Sequence, residues 1–207
     1  MGKGIRLVIF QIICLCGFFF SCQKSNHYAQ SLFSEDYSLC AGDIVFRQGR
    51  SAASRLVLSA EKSGYYSHIG IIVKQDGKWY VVHAVPDEPD FEGDTDRVKM
   101  DEINRFFFAE RANCGAIMRI DDDTIAYKAS VEAIDIFNRN TPFDHKYDLD
   151  DTLNMYCTEL IYHVYNKQGL DLTEGRRSKV NIPGFRGTYI FPSDIQLNPG
   201  LKTIYSF

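Results

Sequence analysis

Two histidines fall in the one stretch where geometry follows from the sequence alone. Ser67 to Val73 and Trp79 to Val85 are β-rich runs joined by Gln75-Asp76-Gly77-Lys78, and an Asp-Gly pair between such runs is a strong hairpin signal. With Asp76 and Gly77 as the central turn residues, Gln75 faces Lys78, Val73 faces Tyr80, Gly70 faces His83 and His68 faces Val85. Cross-strand partners share a face, as do alternate residues on one strand, so His68, Gly70, His83 and Val85 project to one side. His68 and His83 are then diagonal neighbours with Cα atoms about 7–8 Å apart, within reach of one hydrogen bond between imidazoles, and Gly70 leaves the room. One ring fixing the tautomer of the other makes a base and its orienter. A three- or four-residue loop would place one ring on the other face. The alternative is two half-buried histidines satisfied by backbone. Two His and one Cys lack a fourth ligand for zinc, so neither metal nor cofactor is expected.

The candidate for a matching nucleophile is Cys157, which taken alone stays ambiguous. Asn154-Met155-Tyr156-Cys157-Thr158-Glu159 follows an acidic, turn-prone segment, which puts Cys157 in the first turn of a helix over Leu153 to Tyr165. Unpaired amides and the positive end of the helix dipole favour a thiolate there, and a neighbouring imidazolium lowers the thiol pKa further. The competing reading is a buried cysteine that fills a small gap.

The elements that must hold these groups occupy only part of the 207 residues. Lys3 and Arg6 precede an apolar run, Leu7 to Phe20, that ends in Ser21-Cys22 and turns polar. This pattern reads as an export signal over residues 1–21. A small residue before Cys resembles a bacterial lipobox, in which Cys22 takes lipid and anchors the chain to a membrane; plain cleavage and an uncleaved anchor are the alternatives. Removing residues 1–21 takes away Lys3 and Arg6 and turns the net charge of −4 into −6 over 186 residues. This acidity, with no basic run interleaved with aromatics, excludes nucleic acid as a partner. Cys14 and Cys16 lie in the signal, so the folded body keeps Cys40, Cys114 and Cys157. Either Cys40 pairs with Cys114, or all three are reduced and mostly buried.

Residues 22–39 read as a polar tether and 40–207 as one domain. Ile44-Val45-Phe46 is a strand and Ala52 to Glu61 a short helix. Pro86 to Asp96, rich in acid, Pro and Gly, reads as a solvated loop. Asp101 to Glu110 reads as a helix, Ala116 to Ile120 as a strand, and Thr124 to Asn138 as a helix with Ile125, Val131, Ile134 and Phe137 apolar. The tail from Gly169 is loop-rich with short strands. The sum is an α+β domain, an antiparallel sheet packed against helices.

Gly42-Asp43-Ile44-Val45-Phe46, Tyr66-Ser67-His68-Ile69-Gly70, Tyr80-Val81-Val82-His83-Ala84 and Tyr156-Cys157-Thr158-Glu159-Leu160 together resemble the circularly permuted papain-like amidases of the YiiX/YaeF type, relatives of the NlpC cell-wall peptidases. In that group the histidine strand precedes the cysteine helix, as here. The resemblance implies a permuted papain-like fold with Cys157 as nucleophile, His68 as general base and His83 as the orienting residue. Unpermuted cell-wall enzymes carry Asp before and Ser after the nucleophile to grip the amine of a stem peptide, whereas Tyr156 and Thr158 stand here as the substrate-contacting neighbours. Tyr66 is the expected second oxyanion donor, beside the Cys157 amide.

The expected activity is hydrolysis of an amide through an acyl-thioester, in cell-envelope peptides, by an exported lipoprotein on the periplasmic or cell-surface side. The lecithin retinol acyltransferase group shares the permuted order and a His-His-Cys set, so lipid or acyl-ester chemistry is the second expectation. A non-catalytic ligand-binding lipoprotein is the third. Nothing in the sequence reports the oligomeric state.

Overall fold

The strongest apolar runs in the chain build a sheet buried on both sides. Ile44 and Val45, Ile69, Ile71 and Ile72, and Val81 and Val82 are all fully buried, which is why they form continuous runs instead of alternating with polar residues. The computed structural model describes residues 30–34, 37–61, 64–151, 153–182 and 185–207. The expected export signal and Cys22 lie outside the described residues.

The elements run β1 (Ile44–Gly49), α1 (Ala52–Ala60), β2 (His68–Gln75), β3 (Lys78–Val85), β4 (Arg97–Glu102), α2 (Ile103–Phe106), β5 (Ala112–Ile120), α3 (Asp123–Asn138) and α4 (Cys157–Asn166). Then follow β6 (Ser178–Ile182), β7 (Phe185–Tyr189), α5 (Pro192–Gln196) and β8 (Leu201–Ser206). The main sheet has the order β4-β3-β2-β1-β5-β8 with every neighbouring pair antiparallel, and β6 pairs with β7 apart from it. Helices α3 and α4 cover one face, where Leu160, Ile161 and Val164 meet Phe46, Ile69 and Val82. The other face carries Val45, Ile72, Val81 and Ile117 under Ile103, Phe106 and Phe107.

The β2–β3 hairpin has the register read from the sequence, Gln75 opposite Lys78 through Ile71 opposite Val82. Asp76 and Gly77 both have positive φ, 50° and 78°, as a two-residue turn matching the strand twist requires.

Four local expectations differ from the structure. Asp101 is not the start of a helix: Arg97–Glu102 is an edge strand, and only Ile103–Phe106 turns helical. The alternation of Val98 and Met100 with Lys99 and Asp101 is the period-2 signal that decides it. The helix carrying the cysteine begins at Cys157 itself, not at Leu153, which is exposed. On α3 the expected Ile125, Ile134 and Phe137 pack against the core, beside the fully buried Ala126, Ala129, Ala133 and Ile136, and of the four expected residues only Val131 faces outward.

The fourth difference concerns the expected tether, whose last part is docked. Leu32 N–H donates to the Phe107 carbonyl at 2.9 Å, Phe33 stacks on Phe107 and Tyr37 on Tyr205, and Leu39 is buried. This segment covers the outer sheet face, as its aromatic residues allow and its overall polarity obscures.

Candidate active site

Strand pairing places a set of charged and titratable side chains on one face. Arg47 lies opposite His68, His83 opposite Lys99 and Val81 opposite Asp101, so Arg47, His68, His83, Lys99 and Asp101 share the side away from α4. His68 and His83 are buried, and His68 Nε2 lies 2.9 Å from His83 Nδ1. Gly70 makes this possible: a Cβ there would sit 2.4 Å from Val81 Cγ1 and 3.2 Å from His83 Cβ. Phe106 walls the pair, stacked against His68 and edge-on to His83.

The ladder between β2 and β3 ends at Ile71 and Val82, and the first residue of α4 approaches β2 beyond that point. Cys157 and His68 line one cavity of about 40 Å³, closed by Ser54 and Val57 of α1 and by Tyr147. On its other side Cys157 borders a second, almost wholly apolar cavity of about 30 Å³, walled by Val57, Tyr147, Tyr156, Tyr189 and Phe191.

Burial disfavours the charged form of both Cys157 and His68. Burial pushes the Cys157 thiol up to about 11, against the pull of the nearby Ile69, Thr158 and Cys157 backbone N–H groups and of the Arg47 charge. The helix start therefore favours a thiolate as the sequence suggests, but desolvation outweighs it. Burial holds His68 well below its usual range, reinforced by the Arg47 cation and then by His83 and Arg111.

The structure brings together Cys157, His68 and His83, and it assigns the other expected contacts differently. Tyr66 is buried against Phe46 and Tyr65 and lines neither cavity beside Cys157. Tyr156 and Thr158 border the apolar cavity, but their hydroxyls are committed to one backbone residue. Thr158 Oγ1 donates to the Ile190 carbonyl at 2.6 Å, and Ile190 N–H donates to Tyr156 Oη at 3.2 Å. They hold the Ile190 segment against α4 and shape the cavity. Cys40, Cys114 and Cys157 are all free and half-buried, so of the two cysteine arrangements the reduced one is present.

Two features escaped the sequence reading. Asp101 Oδ2 lies 3.4 Å from His83 Nε2, without the alignment of a hydrogen bond. The acidic loop is largely exposed, as expected, but two of its carboxylates turn inward: Glu88 pairs with Arg47 and Arg111, and Asp94 with Lys99 and Arg97. The excess of buried cations on the strands, Arg47 and Lys99, was the available signal for a loop folded back over them.

A cysteine at a helix start, set beside a buried histidine pair on an antiparallel sheet, defines a thiol hydrolase of papain-like type in which the histidine strand comes first in the chain. The chain belongs to the permuted papain-like amidase family, YaeF/YiiX, C92, whose model matches residues 38–179, and it is a cysteine hydrolase of that class. Among solved structures it is similar to one described as the metalloprotein yiiX from Escherichia coli O157:H7, at 21% identity and a TM-score of 0.64, over 83% of this chain and 99% of that one. At that identity the likeness establishes the shared fold. No curated protein matches the chain. Among the described residues, no group of three or more His, Cys, Asp or Glu side chains is placed to hold a metal ion.

Proposed function

We propose that the protein is a membrane-anchored thiol hydrolase that cleaves an amide bond in cell-envelope peptides, with Cys157, His68 and His83 as its catalytic set. The observation that carries this reading is the 2.9 Å contact between two buried imidazoles at the wall of the cavity that Cys157 also lines. With thiol and imidazole both neutral, His68 acts as general base: it takes the S–H proton as the sulfur attacks the carbonyl carbon. The imidazolium then returns that proton to the leaving amine, and water hydrolyses the acyl-thioester with His68 again as base. His83 holds the ring. The N–H groups of Cys157 and Ile69, near the sulfur, are the donors within reach of the oxyanion.

A second reading, hydrolysis or transfer of a lipid acyl group, is favoured by the apolar cavity beside Cys157, which at about 30 Å³ has room for a methylene or two of an acyl group and none for a charge. The discriminating experiment incubates the purified protein and a Cys157→Ala variant with muropeptides and with acyl lipids. Release of an amine from muropeptides by the first protein alone supports the peptide reading. Turnover of lipids alone replaces it with the second, and no turnover of either class leaves a non-catalytic binding role. Anchoring through Cys22 is tested by metabolic labelling with a palmitate analogue, which must vanish in Cys22→Ala.

A further inference from the structure

His83 is buried to the last atom, and its two ring nitrogens face two protein neighbours that bias its tautomer. On one side lies the Asp101 carboxylate, with Oδ2 at 3.4 Å from Nε2. That carboxylate is kept ionised: Arg111 donates to Oδ2 at 2.9 Å, and Arg105 lies 3.5 Å from Oδ1. Burial would raise its pKa, but the His83 contact and the two arginines hold it well below the usual carboxylate range. A bare lone pair on Nε2 facing this anion is repulsive, whereas Nε2–H facing it is attractive. On the other side, His83 Nδ1 meets His68 Nε2 at 2.9 Å, and exactly one proton must lie between them for a hydrogen bond to exist.

We infer that Asp101 is a positioning residue for the Cys157 reaction, fixing His83 as its Nε2–H tautomer, so that His83 Nδ1 accepts from His68 Nε2–H and His68 keeps Nδ1 bare. Nδ1 is then the only nitrogen of His68 able to take the thiol proton. When the S–H bond breaks and the Nδ1–H bond forms, His68 becomes a cation that still donates through Nε2 to His83, and the Asp101 charge lies behind that chain. Arg47, Glu88, Lys99 and Arg111 surround the relay and are paired among themselves and with Asp90, Asp94 and Asp101, which leaves Asp101 as the anion beside His83. The inference rests on the proposed catalytic set but concerns a residue outside it.

The test labels the full chain with nitrogen-15 histidine and reads ring tautomers from two-bond proton–nitrogen spectra at neutral pH. The wild-type protein should show both rings protonated on Nε2 and bare at Nδ1. Asp101→Asn is uninformative, because the oxygen beside His83 also accepts from Arg111 and an amide would keep its carbonyl there. In Asp101→Leu no anion faces His83 Nε2, so the Nε2–H preference is lost and Nδ1–H rings should appear in both histidines. Alkylation of Cys157 by iodoacetamide, followed on its own peptide by mass spectrometry, should then slow, by up to the about 10²–10⁴ that general-base assistance contributes. Asp101→Glu should retain the wild-type tautomers. A wild-type His83 carrying its proton on Nδ1 overturns the inference, as does an Asp101→Leu protein with unchanged tautomers and alkylation. If Asp101→Leu does not fold, the wild-type spectrum decides. Correct tautomers with no turnover of any envelope substrate would instead remove the hydrolase reading and leave the relay standing.

Discussion

At the scale of single residues, Cys157 shows how far a local rule carries. Its place at the first position of α4 sets backbone donors near the sulfur, yet desolvation outweighs them and pushes the thiol up to about 11. In the proposed mechanism, proton transfer to His68 therefore accompanies the attack. Tyr66 shows the opposite error. Two residues before His68 it is close in sequence to the site, but its ring turns into the helix-side core on Phe46. Replacing Tyr66 by Phe should leave turnover within about threefold of wild type, since loss of a true oxyanion donor costs about 10²–10³. A loss of that larger size, measured on whichever substrate is turned over, would restore Tyr66 as a donor.

Among the elements, the β2–β3 hairpin was legible because a two-residue turn fixes register and register fixes faces. The same logic makes Gly70 sensitive. In Gly70→Ala the added methyl must displace Val81 or His83, and overpacking of this kind costs about 1–3 kcal/mol. Chemical denaturation should show that loss, together with a broken imidazole contact in histidine spectra; an unperturbed pair would mean the strands yield more easily than their burial suggests.

Helix α4 carries a second testable feature in Glu159, whose Oε2 accepts from Tyr156 N–H at 3.3 Å. Burial, opposed by that bond and aided by Asp144, Asp151 and Asp148, raises this carboxyl from 4.5 to about 8. The folded state therefore holds a proton that the unfolded state has lost between about pH 4.5 and 8. The contribution is complete below that window and is lost as pH rises through it. Glu159→Gln should flatten the decline of stability across this range relative to wild type, read as melting temperature against pH. Parallel curves for the two proteins would place the Glu159 carboxyl in water.

For the whole molecule, the sheet is covered on both faces, and the outer cover includes the segment before Cys40. A chain beginning at Cys40 loses one buried leucine, Leu39, and the half-buried Leu32, Phe33 and Tyr37. At about 1.5–3 kcal/mol for a fully buried side chain, this truncation forfeits roughly 4–7 kcal/mol of apolar burial, offset in part by the entropy of ordering the segment, and should lower the melting temperature. An unchanged melting temperature would show that the segment is a tether after all. The sequence did not reveal the docking because residues 22–39 lack periodicity. Their aromatic residues meet Phe107, Tyr205 and Phe207, which lie far along the chain.

What the sequence by itself determined is the local chemistry: two histidines on one face of a hairpin, a cysteine at a helix start, and a permuted order of motifs that matches a known family. Each follows from spacing within about 20 residues or from short motifs in series. Only the tertiary structure decided that Asp101 lies on an edge strand behind His83, that Arg47 and Lys99 bury their charges under the acidic loop, and that Tyr156 and Thr158 hold Ile190. Those partners are brought together by sheet pairing and chain reversal. Burial then pushes Cys157 and His68 toward their neutral forms, because the cost of removing an ion from water depends on all the atoms around it and on no single stretch of sequence.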